Sequence, residues 1–218
     1  ECAWNQKPDL ILASGDMLSG DREEGDAIAV ALLSRLSDLA PVCFVNGNHE
    51  MCVERHQPER YQKFMDDLKN GGVQILHNET ACFWIDGEKV AVTGYELPWE
   101  YYRRFSRRHP SVVGMERSIG KRKQDAYQIL LTHNPVFFEE YTAWGADFTF
   151  AGHLHGGFIR LPYFGGVISP QFQLFPKYDR GLYQMDTSSM VVGAGMGNHS
   201  GLFRINNPTE IVTVRIKR

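Results

Sequence analysis

The tetrapeptide Gly47-Asn48-His49-Glu50 follows the apolar run Val42-Cys43-Phe44-Val45, and this junction introduces a pattern that recurs through the chain. The apolar run is short and rich in β-formers, which predicts a buried strand. Asn and His are poor strand formers but good ligands, because Asn offers a carbonyl oxygen and His a nitrogen that binds metal or shuttles protons. The junction therefore predicts a strand that delivers ligand side chains to a loop at its carboxyl end.

Three further apolar runs, at residues 10–13, 129–131 and 148–151, end in turns that carry Asp, Asn or His. The turns are Ser14-Gly15-Asp16, Thr132-His133-Asn134-Pro135 and Gly152-His153-Leu154-His155-Gly156-Gly157. A single turn of this kind would be an ordinary loop. In an open α/β sheet the carboxyl ends of the strands share one edge, where ligands bind. We therefore expect the four turns to converge at one edge of a single sheet.

The composition limits the classes of protein to consider. The chain has 218 residues, of which 43% are hydrophobic, and this predicts one globular domain over residues 1–218. The net charge of −3 gives no general case for nucleic acid binding, which disfavours a nuclease. Residues 99–124 nevertheless hold eight Arg or Lys and two Glu, a net of +6 that leaves −9 elsewhere. We expect residues 98–124 to form a basic aromatic insertion or cap.

Local patterns predict alternating helices and strands. Apolar spacing and proline positions indicate helices at 26–39 and 58–70, and Asp86-Gly87 indicates a hairpin turn between two strands. Later strands are expected at 182–185, 190–192 and 211–214. The mixture of parallel units and hairpins predicts an α/β (α+β) protein with two packed sheets and helices outside them.

The candidate metal ligands supply nitrogen and oxygen but no thiolate; they are Asp16, Asn48, His133, His153 and His155. Such a set fits two divalent ions, with Mn²⁺, Fe or Zn²⁺ favoured over Ca²⁺ or an iron–sulfur cluster. Two cations about 3.5–4 Å apart can hold an in-line displacement at phosphorus and generate a hydroxide nucleophile. We expect His49 to protonate the leaving oxygen and Glu50 to orient His49, with Asn48 and His49 also contacting substrate.

At these residues the chain resembles the calcineurin-like metallophosphoesterases. The matching motifs are Gly15-Asp16, Gly47-Asn48-His49-Glu50, Thr132-His133 and Gly152-His153-Leu154-His155, in the family's order. The resemblance implies a four-layer α-β-β-α sandwich in which Asp16 bridges two metals. It also implies that Asn48, His133 and His153 complete one metal site, that His155 joins the other, and that His49 serves the leaving group or the phosphate.

The residues at 151–162 look most like a bacterial phosphodiesterase subgroup with membrane-associated members, some of which cleave UDP-diacylglucosamine. The resemblance thus implies a phosphodiester or nucleotide-lipid-like substrate and a membrane-associated or exported protein. The family's first strand carries Asp-x-His, which this chain does not contain, and we expect it in a preceding N-terminal segment. The alternative is a non-catalytic scaffold or interaction protein on the same fold.

Residues 98–108 combine aromatic and basic side chains. Trp99, Tyr102 and Phe105 recur every three residues, so a helix would align them on one stripe, with arginines largely opposite. This arrangement predicts contact with an anionic membrane surface or an amphiphilic substrate. The alternative is that the aromatics pack on the sheet while the arginines are solvated.

Overall fold

The chain folds into two β-sheets flanked by helices, which confirms the predicted fold class. The computed structural model describes residues 2–20, 23–103, 108–157, 160–161, 165–166, 175–197 and 204–217. The helices in these ranges are α1 (Cys2–Gln6), α2 (Glu24–Ser37), α3 (Asn48–His56), α4 (Pro58–Asn70), α5 (Val112–Ile119) and α6 (Phe138–Trp144). None of these described helices combines the length and apolarity that a membrane crossing requires.

The strands fall into two main sheets and a short pair. They are β1 (Ile11–Ala13), β2 (Val42–Phe44), β3 (Val73–Ile75), β4 (Thr80–Ile85), β5 (Glu88–Tyr95), β6 (Tyr127–Thr132), β7 (Phe148–Ala151), β8 (Arg160–Leu161), β9 (Gly165–Gly166), β10 (Gly181–Met185) and β11 (Ser188–Val192). One sheet has the parallel order β1-β2-β3, and the other has the mixed order β10-β11-β7-β6-β5-β4. The four ligand-bearing strands therefore divide between two sheets, which corrects the expectation of a single sheet.

Alternating side chains join these sheets into layers. Cys43 and Val45 pack with Ile129 and Leu131 in one buried cluster between the two sheets. Phe44, on the opposite face of its strand, packs in a second cluster with residues of α2 and α4. The outer face of the larger sheet meets α5 and α6 in a third cluster. Strands buried on both faces explain the nearly continuous apolar runs in the sequence.

Several local predictions hold. Helix α4 spans Pro58–Asn70, as the proline and the terminal glycines indicated. Asp86 and Gly87 adopt φ values of 49° and 81°, and the flanking β4 and β5 pair antiparallel as a hairpin. The strand predicted at 211–214 is wrong, because those residues form no strand.

The predicted helix at 98–108 is also wrong in its described part, where only a 3₁₀ turn forms at Trp99–Tyr101. Tyr102 is 8% exposed and packs in the cluster beneath α5 and α6, so it cannot belong to a membrane-facing stripe. Residues 104–107, which include Phe105, lie outside the described residues. Trp99 is 43% exposed, and membrane contact through this segment stays a prediction.

Candidate metal centre

Loops from both sheets bring three predicted ligands together. Asp16 follows β1, whereas His133 and His153 follow β6 and β7 of the other sheet. The Asp16 Oδ2 atom lies 3.0 Å from His133 Nε2, and His153 Nδ1 lies 3.1 Å from the same nitrogen. Ligands of one ion at about 2.1 Å lie about 3.0–3.4 Å apart, so these separations fit a shared metal.

The hydrogen bonds around His133 determine which of its nitrogens faces the ligand group. Its Nδ1 lies against the Ser14 carbonyl oxygen, which only accepts, so Nδ1 carries the proton. In the neutral ring, Nε2 then presents its lone pair toward the Asp16 carboxylate and His153. Acceptor atoms this close repel unless a proton or a cation lies between them, and a backbone carbonyl behind a histidine is the usual support of a metal ligand.

The charges of this group fit a site where a metal replaces a proton. Burial lowers the pKa of His133, but the Asp16 carboxylate, the Ser14 carbonyl and Glu50 together raise it. Burial raises the pKa of Asp16, but the neighbouring histidines, His133 foremost, together hold that pKa below its usual range. Burial and the charge of His133 hold the pKa of His153 well below its ordinary value, so His153 is neutral. Metal binding would therefore release a proton and weaken at low pH.

Glycines let the two loops of the smaller sheet approach closely. A Cβ on Gly47 would lie 2.2 Å from Asp16 Oδ1, and a Cβ on Gly15 would lie 2.3 Å from the Gly47 nitrogen. Gly15 also has a φ of 91°, and Asp16 a φ of 57°. A side chain at either glycine would push Asp16 away from the histidines.

The Asn48-His49 pair lies in the first turn of α3 rather than in a loop, and this turn faces Asp16. The His49 backbone N–H donates to Asp16 Oδ1 at 3.0 Å, so the carboxylate receives an amide that the helix itself leaves unpaired. The His49 ring lies 4.0 Å from Asp16 Oδ2 and is 26% exposed, compared with 2% for His133. The Asn48 Oδ1 atom is buried without a hydrogen-bond partner among the described residues, which suits a ligand oxygen.

Glu50 does not have the surroundings of a residue that orients His49. Its carboxylate is fully buried and accepts from four backbone amides, those of Asp16, Met17, Leu18 and Gly47, at 2.6–2.8 Å. Each oxygen accepts two of these bonds, which uses the acceptor capacity of the carboxylate. These contacts favour a structural role, in which Glu50 fixes the two loops that hold Asp16 and His49.

We expect Glu50→Gln to destabilise the fold, because an amide NH₂ would face backbone donors and leave them unsatisfied. The expected loss in the free energy of unfolding is about 2–4 kcal/mol, measured by chemical denaturation. Glu54→Gln is the matched control, since Glu54 is exposed one turn later on α3. Equal stability of the Glu50 variant and wild type would contradict this account.

His155 lies apart from the three convergent ligands. Its Nδ1 is 3.3 Å from Arg204 Nη2, and its backbone φ is 50°. Sequence reasoning assigned no role at the centre to three nearby residues. Tyr102 packs its ring 5.3 Å from that of His153, Ser14 supports His133, and Asn207 contacts the loop that carries His155. Their residue types carried no signal, because each acts through contacts with distant segments.

Comparison with known proteins agrees with this geometry. The family model for calcineurin-like phosphoesterases matches residues 2–157. The chain is 24% identical to metallophosphoesterase YkuE of Bacillus subtilis (strain 168), covering 97% of this chain and 68% of the relative. It is 25% identical to phosphodiesterase YaeI of Escherichia coli (strain K12), covering 97% and 71%.

A third relative is UDP-2,3-diacylglucosamine pyrophosphatase LpxG of Chlamydia trachomatis serovar D, which is 25% identical over 68% of this chain and 43% of that protein. The family model matches well over half of the chain, and its matched range contains all the convergent ligands. The chain therefore belongs to the calcineurin-like phosphoesterase family and is a metal-dependent phosphoester hydrolase.

Proposed function

We propose that the protein is a phosphodiesterase or pyrophosphate hydrolase with a dinuclear centre of divalent metal ions. The observation that carries the proposal is the group of three acceptor atoms from Asp16, His133 and His153 beside the partly exposed ring of His49. Bound divalent ions would polarise the phosphoryl group and lower the pKa of an attacking water. The native metals we propose are Mn²⁺, Fe or Zn²⁺, because the donors are nitrogen and oxygen.

The protein residues divide into buried ligands and an accessible histidine. His133 and His153 are nearly inaccessible, so they serve to hold an ion rather than to meet the substrate. Asn48 would add its carbonyl oxygen, and Asp16, with two oxygens, would be shared between the ions. His155 would contribute to the second ion.

His49 is placed to act on the substrate. Its ring is 26% exposed, compared with 2% for His133, and the backbone of the same residue is anchored to Asp16. A histidine in this position can donate a proton to the leaving oxygen while remaining outside the metal coordination.

The relatives suggest the class of substrate. YaeI is a phosphodiesterase, and LpxG is a pyrophosphatase of UDP-2,3-diacylglucosamine. Both names describe cleavage of a phosphorus–oxygen bond in a doubly substituted phosphate or a pyrophosphate. We propose the same bond type here, within a phosphodiester or nucleotide-lipid substrate.

The test is metal analysis combined with turnover of bis(p-nitrophenyl) phosphate and p-nitrophenyl phosphate in the presence of Mn²⁺. We expect bound metal and preferential hydrolysis of the diester, and chelation should abolish both. Preference for the monoester would contradict the phosphodiesterase proposal. The absence of both metal and turnover would favour the scaffold alternative.

A further inference from the structure

The segment at residues 204–210 lies against the loop at residues 152–157, which we call the histidine loop because it carries His153 and His155. The Arg160 N–H donates to the Ile205 carbonyl oxygen at 3.1 Å, and the Glu210 N–H donates to the Gly195 carbonyl oxygen at 3.3 Å. This C-terminal segment lies beyond the residues that the family model matches. The histidine loop itself lies within the matched residues.

Asn207 makes the closest contact between the two segments. Its Nδ2 donates to the His155 and Gly157 carbonyl oxygens, and its Oδ1 accepts from Arg180 Nη1 at 3.3 Å. Carbonyls only accept and a guanidinium only donates, so the orientation of the Asn207 amide is determined by its partners. Asn207 is 2% exposed, which means that water cannot replace these bonds easily.

The histidine loop needs support because its backbone is unfavourable. His153 and His155 have φ values of 67° and 50°, in the left-handed region that non-glycine residues seldom adopt. Gly156, with a φ of 69°, packs so closely that an added Cβ would lie 2.9 Å from Asn207 Oδ1. Without the two hydrogen bonds from Asn207, the loop would relax toward ordinary backbone angles and move its imidazoles.

We propose that Asn207 is a positioning residue of the metal centre, which holds the histidine loop in the conformation that binds metal. The inference rests on the proposed function, because it assumes that His153 and His155 bind ions. Asn207 touches backbone carbonyls rather than substrate or metal. Its effect therefore reaches the metal through the geometry of the loop.

The test is the affinity of the full chain for Mn²⁺, measured by titration calorimetry on Asn207→Asp. This change keeps the size of the side chain but replaces two donors with an acceptor that faces two carbonyls. We expect affinity to fall by about 10–100-fold, the usual effect of losing a group that supports metal ligands. Asn206→Asp is the matched control, because Asn206 is the exposed neighbour and acquires the same charge; its affinity should stay within about twofold of wild type.

Two further variants separate positioning from general stability. Gly156→Ala disturbs the same contact from the loop side and should also weaken Mn²⁺ binding. This variant tests the inference even if Asn207→Asp fails to fold. Val92→Ala removes packing in the core between the sheets and should lower the melting temperature without changing Mn²⁺ affinity.

Wild-type Mn²⁺ affinity in folded Asn207→Asp, or in Gly156→Ala, would overturn the inference. The same holds if Val92→Ala weakens binding as much as Asn207→Asp does, since stability alone would then explain the loss. Failure of wild type itself to bind Mn²⁺ would instead contradict the proposed function, and the positioning role with it.

Discussion

Asp16→Asn will lose metal binding, with an expected drop in Mn²⁺ affinity of more than about 100-fold, beyond the loss seen for groups that only support ligands. The change removes a negative charge and turns one acceptor of the site into a donor, while the shape of the side chain stays the same. Asp16 lies between the His133 ring and the first turn of α3, so no other described carboxylate replaces it there. Turnover should fall with the metal and be poorly restored by excess Mn²⁺.

Metal content after dialysis and calorimetric titration measure this loss. Asp86→Asn is a matched control, because Asp86 also has a left-handed backbone, with a φ of 49° against 57° for Asp16. Asn accepts this region as readily as Asp does, so backbone strain is equal in the two variants. Retention of metal by Asp16→Asn would show that Asp16 is not a ligand.

His49→Ala has the second largest expected effect, a loss in kcat of about 10²–10⁴-fold with metal content unchanged. The reason is that the His49 ring is partly exposed beside the centre, whereas the proposed ligand His133 is buried. A general acid matters most when the leaving oxygen is basic. The loss should therefore be larger for a methyl phosphodiester than for a p-nitrophenyl diester, whose leaving group departs without a proton.

The comparison of leaving groups separates proton donation from substrate binding. His56→Gln is the control, since His56 is exposed at the far end of the same helix. Loss of metal in His49→Ala would assign His49 to the ligands. An equal loss in kcat for both leaving groups would leave His49 as a contact for the phosphate rather than an acid.

Glu50 shows why residue type alone did not reveal a role. A Glu beside a His suggests a carboxylate that orients an imidazole, and the sequence offers no other partner within reach. In the fold, the amides of residues 16–18 bring their donors to the Glu50 carboxylate, and these bonds span 32–34 positions of the chain. Backbone donors are the same at every residue except proline, so no sequence pattern marks where they will converge.

Short stretches of the sequence determined much of the secondary structure of this protein. Helix α4 could be predicted from the proline and the two glycines at its ends, and the β4–β5 hairpin from Asp86-Gly87. The strands before Asp16, His133 and His153 could be predicted because each is a short apolar run that stops at a turn. These signals lie within a few residues of the helices, strands and turns that they specify. They can therefore be interpreted without knowledge of the fold.

The tertiary structure determined how these secondary-structure elements pack against one another. It divided the strands that carry the candidate ligands between two sheets, buried Tyr102 against His153, and brought Asn207 to the carbonyl of His155, 52 positions earlier. Strand pairing and side-chain contacts of this kind depend on which distant segments become neighbours. Which segments become neighbours depends on how all the apolar faces are buried together. This is a property of the whole chain and cannot be inferred from any single stretch.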